Sequence, residues 1–337
     1  MDETLLPPLP RCVQIEPVGQ CNLRCRMCPV QFRPDGQHGA PAFMQFDTFR
    51  SLLDQFDGMA ELHLQGMGEP MLHPRFFDMV ELAASRGIQV STNTNMTVMT
   101  EEQAERCVTS GLHALHVSID AADPRVYETV RVGAKLPLVL RNLRRVTAAK
   151  VQLGRQTPKV SLVAVLMRST LDGLPELVRL AADAGVVAMS VQQLCHDFSE
   201  DSLPPHYLPM RAFIDREMLR EADHAHAQHV FAMAQAFAQE EGVALRLPRL
   251  VPRPHGQHVP GRTRCDWPWR EAYVAYDGQA MPCCMVATPD RQQLGNMASD
   301  GVAPVWTGNA YQQFRARLAS SDPPPVCAGC AIYRGTF

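Results

Sequence analysis

A chain of 337 residues is long enough for one large core, or for a large domain with a small one beside it. With 46% apolar and 20% charged residues, and a net charge of −3 from 32 basic and 35 acidic side chains, nothing points to nucleic acid or an anionic membrane as partner. The opening MDETLLPPLPR has no basic start and no long apolar stretch, and the longest apolar run, VSLVAVLM at 160–167, is strand length, so the expectation is a soluble cytoplasmic protein without membrane spans.

From residue 12 to about 196, short apolar runs alternate with amphipathic stretches. The strands predicted are 12–16, 61–65, 88–92, 114–120, 159–166 and 187–194. Helical patterns lie between them at 46–56, 74–87, 100–111, 138–150 and 171–185. Gly87, Gly111 and Gly185 are read as C-terminal caps, Asp47 and Thr100 as N-terminal ones. Six β–α alternations predict an α/β fold: a parallel sheet curled by right-handed crossovers into a partial (β/α)6 barrel. In such folds the chemistry gathers at the C-terminal ends of the strands, here the loops at 17–45 and 66–73. Residues 197–264 read as a Pro-rich connector, one or two helices over 207–242 and an irregular linker at 247–262. From 265 a small cysteine-rich module begins. A hairpin turns at Asp277-Gly278, a helix is expected over 303–320, and DPPPVCAGC follows. The division expected is 1–196, 197–264 and 265–337.

Eleven cysteines are many for such a chain, and in a reducing compartment clusters of them point to metal rather than disulfides. Cys21, Cys25 and Cys28 fall together in CNLRCRMCP. Cys265, Cys283, Cys284, Cys327 and Cys330 gather near the other end. Structural zinc is closed by four ligands, and a distant fourth could complete the first group, so zinc stays open by counting alone. A four-iron cube held by three thiolates leaves one iron for a substrate or cofactor.

The spacing of Cys21, Cys25 and Cys28 after a first strand resembles the signature of the radical SAM superfamily. LQGMGEP (64–70) is similar to its glycine-glutamate-proline motif, with Met67 where a second glycine is usual. STNTN (91–95) and VSIDAADPRVYETVR (117–131) resemble its polar third-strand end and its fourth strand with the helix that follows. The resemblance implies that Cys21, Cys25 and Cys28 hold a [4Fe–4S] cluster whose open iron binds S-adenosylmethionine (SAM). One electron then cleaves SAM to methionine and a 5′-deoxyadenosyl radical that abstracts a hydrogen atom from substrate. It also implies that Glu69 and the backbone of Met67 and Gly68 bind the SAM ammonium. Ser118, Asp120 and Arg131 would meet the ribose and carboxylate, and Met27 would pack on adenine.

CDWPW, DGQAMPCC, LGN and PPPVCAGC resemble the shortened form of the SPASM module, the twitch domain. That implies a second, auxiliary [4Fe–4S] cluster on Cys265, Cys283, Cys327 and Cys330, with Cys284 the adjacent alternative to Cys283. A zinc ribbon also brackets a hairpin with cysteines. Seven residues follow Cys330, room for one auxiliary cluster. A fully ligated cube has no open iron and is expected to carry electrons.

By analogy with the radical SAM dehydrogenase of butirosin biosynthesis, the reaction expected is a two-electron oxidation of a small polar metabolite, a sugar- or cyclitol-like alcohol. The expected reductant is flavodoxin or ferredoxin. Maturation of a ribosomally made peptide is the alternative, although the first strand at about residue 12 leaves no room for an added peptide-binding domain. Epimerisation is another, with Cys195, after the sixth strand, as hydrogen-atom donor. The non-enzymatic alternative is a zinc-stabilised interaction protein.

Overall fold

The computed structural model describes residues 5–33, 42–194, 198–252, 265–286 and 288–337. Its strands are β1 (Cys12–Ile15), β2 (Arg24–Cys25), β3 (Glu61–Leu64), β4 (Gln89–Thr94), β5 (Leu112–Ser118), β6 (Arg131–Val132), β7 (Lys159–Leu166), β8 (Ala188–Gln193), β9 (Ala244–Arg246), β10 (Glu271–Val274) and β11 (Ala280–Met281). Up to β8 they alternate with α1 (Phe46–Gln55), α2 (Phe76–Ser85), α3 (Glu101–Thr109), α4 (Pro124–Val130), α5 (Leu136–Gln152) and α6 (Leu174–Asp183). Then come α7 (Leu208–Glu217), α8 (His224–Glu240), α9 (Trp267–Arg270), α10 (Val302–Trp306), α11 (Asn309–Ala319), α12 (Pro325–Ala328) and α13 (Ala331–Arg334).

One nine-stranded sheet runs in the order β11-β10-β1-β3-β4-β5-β7-β8-β9. Every neighbouring pair is parallel except β10 with β11. The six expected strands form its centre as a partial barrel. The C-terminal hairpin extends the same sheet, because β10 pairs in register with β1, Cys12 opposite Glu271 and Ile15 opposite Val274. The hairpin turn needs Gly278 at φ 87°, where an added Cβ would also meet Asn296 and Ala298.

Burial alternates along the strands as period two requires. In β7, Val160, Leu162, Ala164 and Leu166 are buried in the main core, while Ser161, Val163 and Val165 are half-buried. The half-buried set faces the concave side. His63 on β3 and His116 on β5 flank β4, and strands two apart in a flat sheet lie roughly 9.5 Å from each other. Their rings close to 6.3 Å.

Thr100 caps α3 in a reciprocal box with Gln103 as expected. The cap expected at Asp47 is corrected: α1 starts at Phe46, Gln45 two residues earlier takes the cap position without a side-chain bond, and Asp47 lies in the first turn, where its charge suits the helix dipole. Among the described residues no helix is long and apolar enough to cross a membrane.

Candidate functional site: a three-thiol loop at the mouth of the partial barrel

The loop after β1 carries Cys21, Cys25 and Cys28. Cys25 lies on β2, opposite Arg131 of β6, so a two-stranded ribbon pins the middle thiol. The Cys28 N–H donates to the Cys25 carbonyl at 3.0 Å, and Asn95 Nδ2 donates to Cys21 Sγ at 3.6 Å. Burial is the main cause raising each thiol's pKa. It takes Cys25 to about 12, against the pull of Arg131, and Cys21 is raised further by Glu69, Cys28 and Cys25. The thiols therefore lie within one another's electrostatic reach. Among the described residues no three His, Cys, Asp or Glu side chains are gathered for a single ion. A cluster asks for something looser, since it spreads its ligands over separate irons.

The turn after β3 is welded to this loop. A Cβ on Gly68 would lie 1.9 Å from the Val18 carbonyl oxygen, and one on Gly66 would lie 2.3 Å from Glu16 Cγ. Glycine here lets two segments of the chain meet. Glu16, fully buried, accepts the Met67 N–H at 2.7 Å and pairs with Arg33 at 3.3 Å. Glu69, 2% exposed, accepts from Thr94 Oγ1 at 2.7 Å, from the Asn95 N–H at 2.7 Å and from the Met71 N–H at 3.1 Å. Burial raises its pKa, and those three bonds and Arg131 oppose the rise.

Asp120 and Arg131 form a buried bidentate pair at 2.6 and 3.0 Å, and Asp120 Oδ1 also accepts the Val165 N–H at 2.9 Å. Both Asp120 oxygens are thus engaged, and the pair braces the ribbon that carries Cys25. Ser118 ends β5, half-buried on the lumen face. Met27 is half-buried and packs against both the main core and the small cluster around Phe198 and Tyr207.

A belt of uncharged polar groups lines the lumen. The register places Gln14 beside His63, His63 beside Ser91, Asn93 beside His116 and His116 beside Ser161. His63 bonds Ser91 Oγ through Nδ1 at 2.8 Å and Gln65 Oε1 through Nε2 at 3.0 Å. Gln14 Nε2 donates to the same Gln65 oxygen at 3.1 Å. His116 Nδ1 meets Ser161 Oγ at 2.6 Å. Burial lowers both histidines, His63 to about 4 with help from His116, so both rings are neutral near pH 7. Sequence reasoning missed this belt, together with Glu16 and Arg33. Its signal was legible in the polar letters alternating through CVQIE, ELHLQ and ALHVS.

At the other end of the chain, Cys283 gathers the terminal cysteines. Burial raises its pKa first, and Cys284, Cys330, Cys327 and Cys265 each add to the rise. Cys265 is pushed up to about 12, mainly by burial, with Cys330 contributing, and Cys327 is raised by burial, Cys330 and Cys265. Cys283, Cys327 and Cys330 belong to the main core, while Cys284 packs with Tyr273, Ala275 and Met281, beside Met67 and Trp267. Cys283 thus lies within electrostatic reach of Cys284, Cys330, Cys327 and Cys265, and Cys284 packs against the same small cluster as Met67 and Trp267. Cys195 lies outside the described residues.

A barrel mouth with a three-thiol loop and a second thiol group is a donor set that suits iron–sulfur clusters. The Radical SAM superfamily model matches residues 15–181, and a SPASM model, an iron–sulfur cluster-binding domain, matches 265–331. The chain belongs to the radical SAM superfamily and carries a C-terminal SPASM domain. Its cofactors are accordingly SAM, a [4Fe–4S] cluster and auxiliary iron–sulfur. The chain is 25% identical to the tungsten-containing aldehyde ferredoxin oxidoreductase cofactor-modifying protein of Pyrococcus furiosus, over 94% of this chain and 86% of that one. It is 21% identical to the AdoMet-dependent heme synthase of Nitratidesulfovibrio vulgaris, over 92% and 84%. In fold it is similar to SuiB of Streptococcus suis bound to its precursor peptide SuiA, with TM-score 0.70, 14% identity, and 99% of this chain and 72% of that one covered.

Proposed function

We propose that this radical SAM enzyme performs a two-electron oxidation of a small, uncharged polar metabolite, an alcohol of the sugar or cyclitol kind. The observation that carries the reading is the lumen belt. A charged group entering it would meet neutral Gln14, His63, Gln65, Ser91, His116 and Ser161, and burying an unpaired charge is costly. The hydroxyls of a polyol, which both donate and accept, match neutral groups of this kind. Two of the relatives, named for modifying a cofactor and for making heme, support a metabolite as substrate.

In this reading Cys21, Cys25 and Cys28 hold the SAM-binding cluster, and Cys265, Cys283, Cys327 and Cys330 hold the auxiliary one. Bound there, they supply hydrogen-atom abstraction by a 5′-deoxyadenosyl radical and an acceptor for the second electron. Glu69 orients the SAM ammonium from its three-bond cradle, and Ser118 and Met27 line the same mouth. His116 has no partner on Nε2 among the described residues, and that nitrogen takes the hydroxyl proton. The functional division is 1–196 for the radical chemistry, 197–264 as connector and 265–337 for the auxiliary cluster, on one shared sheet. Flavodoxin or ferredoxin is the proposed reductant.

The test is deuterium transfer. Extract from cells grown in deuterated medium is split into metabolites and peptides, and each is given anaerobically to reduced enzyme with unlabelled SAM. Deuterium in 5′-deoxyadenosine from the metabolite fraction is the expected result. Label from the peptide fraction alone would overturn the reading in favour of peptide maturation.

A further inference from the structure

The ribbon that carries Cys25 has a second face. Along β2 and the residue after it, Arg24 and Arg26 are exposed while Cys25 between them is buried, the alternation of an extended strand. The Arg26 N–H donates to the Val130 carbonyl at 3.0 Å, so the pairing with β6 continues past Cys25. Across the ribbon, Val132 lies opposite Arg24 and is 38% exposed, while Arg131 lies opposite Cys25 and turns inward to Asp120. Among the described residues neither exposed guanidinium has an ion-pair partner. Lys135, three residues past Val132, is answered by Glu128.

Other surface arginines are unpaired too, Arg141 and Arg144 on α5 among them. Arg24 and Arg26 differ in what lies beneath them. Consecutive Cα atoms are about 3.8 Å apart, so a single peptide unit joins each arginine to Cys25. Cys21 and Cys28 are half-buried and Asn22 is exposed, whereas Cys283, Cys327 and Cys330 are buried. The three-thiol loop is thus the shallower of the two groups, and its cover is cationic. The chain as a whole carries a net charge of −3, which opposes the approach of an acidic protein except where cations collect.

We propose that the outward face of the β2–β6 ribbon docks the reductant, an acidic flavin or iron–sulfur protein, with Arg24 and Arg26 as its cations and Val132 as its apolar contact. Charge complementarity of this kind sets the rate and orientation of encounter. The step is the transfer of one electron from the reduced carrier to the cluster on Cys21, Cys25 and Cys28. The carrier is oxidised, the cluster is reduced, and no bond or proton moves at the arginines. The inference rests on that ligand assignment and on a protein as electron donor.

The experiment is anaerobic SAM cleavage by the holoenzyme without substrate, where each SAM cleaved draws one electron from the donor. Iron content is measured first. The donors are reduced flavodoxin, reduced ferredoxin and saturating dithionite, which is small and needs no docking surface. In Arg24→Glu/Arg26→Glu the rate with limiting protein donor should fall about tenfold, while dithionite-driven cleavage is unchanged. The wild-type rate with protein donors should drop as salt rises, and that slope should flatten in the variant. Isothermal titration with oxidised flavodoxin should show the same loss as weaker affinity. Arg141→Glu/Arg144→Glu makes the same change of net charge on α5 and should behave as wild type with every donor. Equal loss in both variants, no loss in the first, or a wild-type rate indifferent to salt overturns the proposal. So does a wild type that dithionite drives and neither protein does. Should R24E/R26E lose its iron, the lysine and glutamine pairs decide: a rate kept by Arg24→Lys/Arg26→Lys and lost by Arg24→Gln/Arg26→Gln supports docking by charge, and equal rates overturn it. A wild type that fails to cleave SAM even with dithionite would instead remove the assignment of the three thiols.

Discussion

Glu69 is a carboxylate enclosed by Thr94, Asn95 and Met71, in a place where burial raises its pKa. A cation reaching it would gain a charge-assisted bond in a dry setting. Glu69→Gln keeps the volume and removes the charge, so SAM affinity should drop about ten- to hundredfold, the worth of one hydrogen bond to a charged group. Anaerobic equilibrium dialysis of the reconstituted enzyme reads it, and unchanged binding would detach Glu69 from SAM. His63 makes a different prediction. Its pKa is lowered to about 4 in the fold, mainly by burial, from about 6.5 when unfolded. The unfolded chain binds the proton more readily, so this contribution is full above about 6.5 and is lost as pH falls toward 4. Between pH 7 and pH 5 the loss should be about 2 kcal/mol. His63→Gln should flatten that part of the urea-unfolding profile, and parallel profiles for the two proteins would show that the ring does not titrate as argued.

The β3 turn and the cysteine loop behave as one element. Gly68 has the Val18 carbonyl where a Cβ would go, and the Glu69 N–H donates to the Gln20 carbonyl at 2.9 Å. Gly68→Ala therefore has to push the strand leading to Cys21 outward. We expect roughly 1–3 kcal/mol of lost stability, as for overpacking, and loss of the iron of one cluster on purification. Full iron content with unchanged stability would mean that the loop is held elsewhere. The sequence carried the six strands, the alternating helices, the hairpin at Asp277-Gly278 and both cysteine groups, because each depends on local pattern: period two, period 3.6, a turn dipeptide, a spacing. It did not carry what depends on register. Glu16 reads as the last letter of an apolar strand until β1 and β3 are aligned and the Met67 N–H falls on it. The lumen belt needs β3, β4, β5 and β7 side by side before His63, Ser91, His116 and Ser161 become neighbours. Asp120 and Arg131 were marked for a ligand by the resemblance of 117–131 to the fourth strand and following helix of the family. Their pairing depends on β6 folding back against the cysteine loop, a contact no local pattern announces.

Across the whole molecule, the two thiol groups stand on one sheet, with β1 between the parallel partners β3 and β10. The three-thiol loop leaves β1, and Cys283 follows β11, which is paired to β10. This layout separates starting the reaction from finishing it. Cys21→Ala removes a thiol from the SAM-binding loop and should abolish 5′-deoxyadenosine formation. Cys330→Ala touches only the other thiol group. It should leave SAM cleavage within a few-fold of wild type, because Cys21, Cys25, Cys28 and the Glu69 cradle are untouched, while oxidised product is lost because the second electron has no acceptor. Anaerobic chromatography of 5′-deoxyadenosine and of product, on proteins of known iron content, separates the two effects. Normal SAM cleavage by C21A would remove the assignment of the loop. Full oxidised product from a C330A that lacks its second cluster would remove the auxiliary cluster as acceptor, since the electron would then leave the substrate radical by another route.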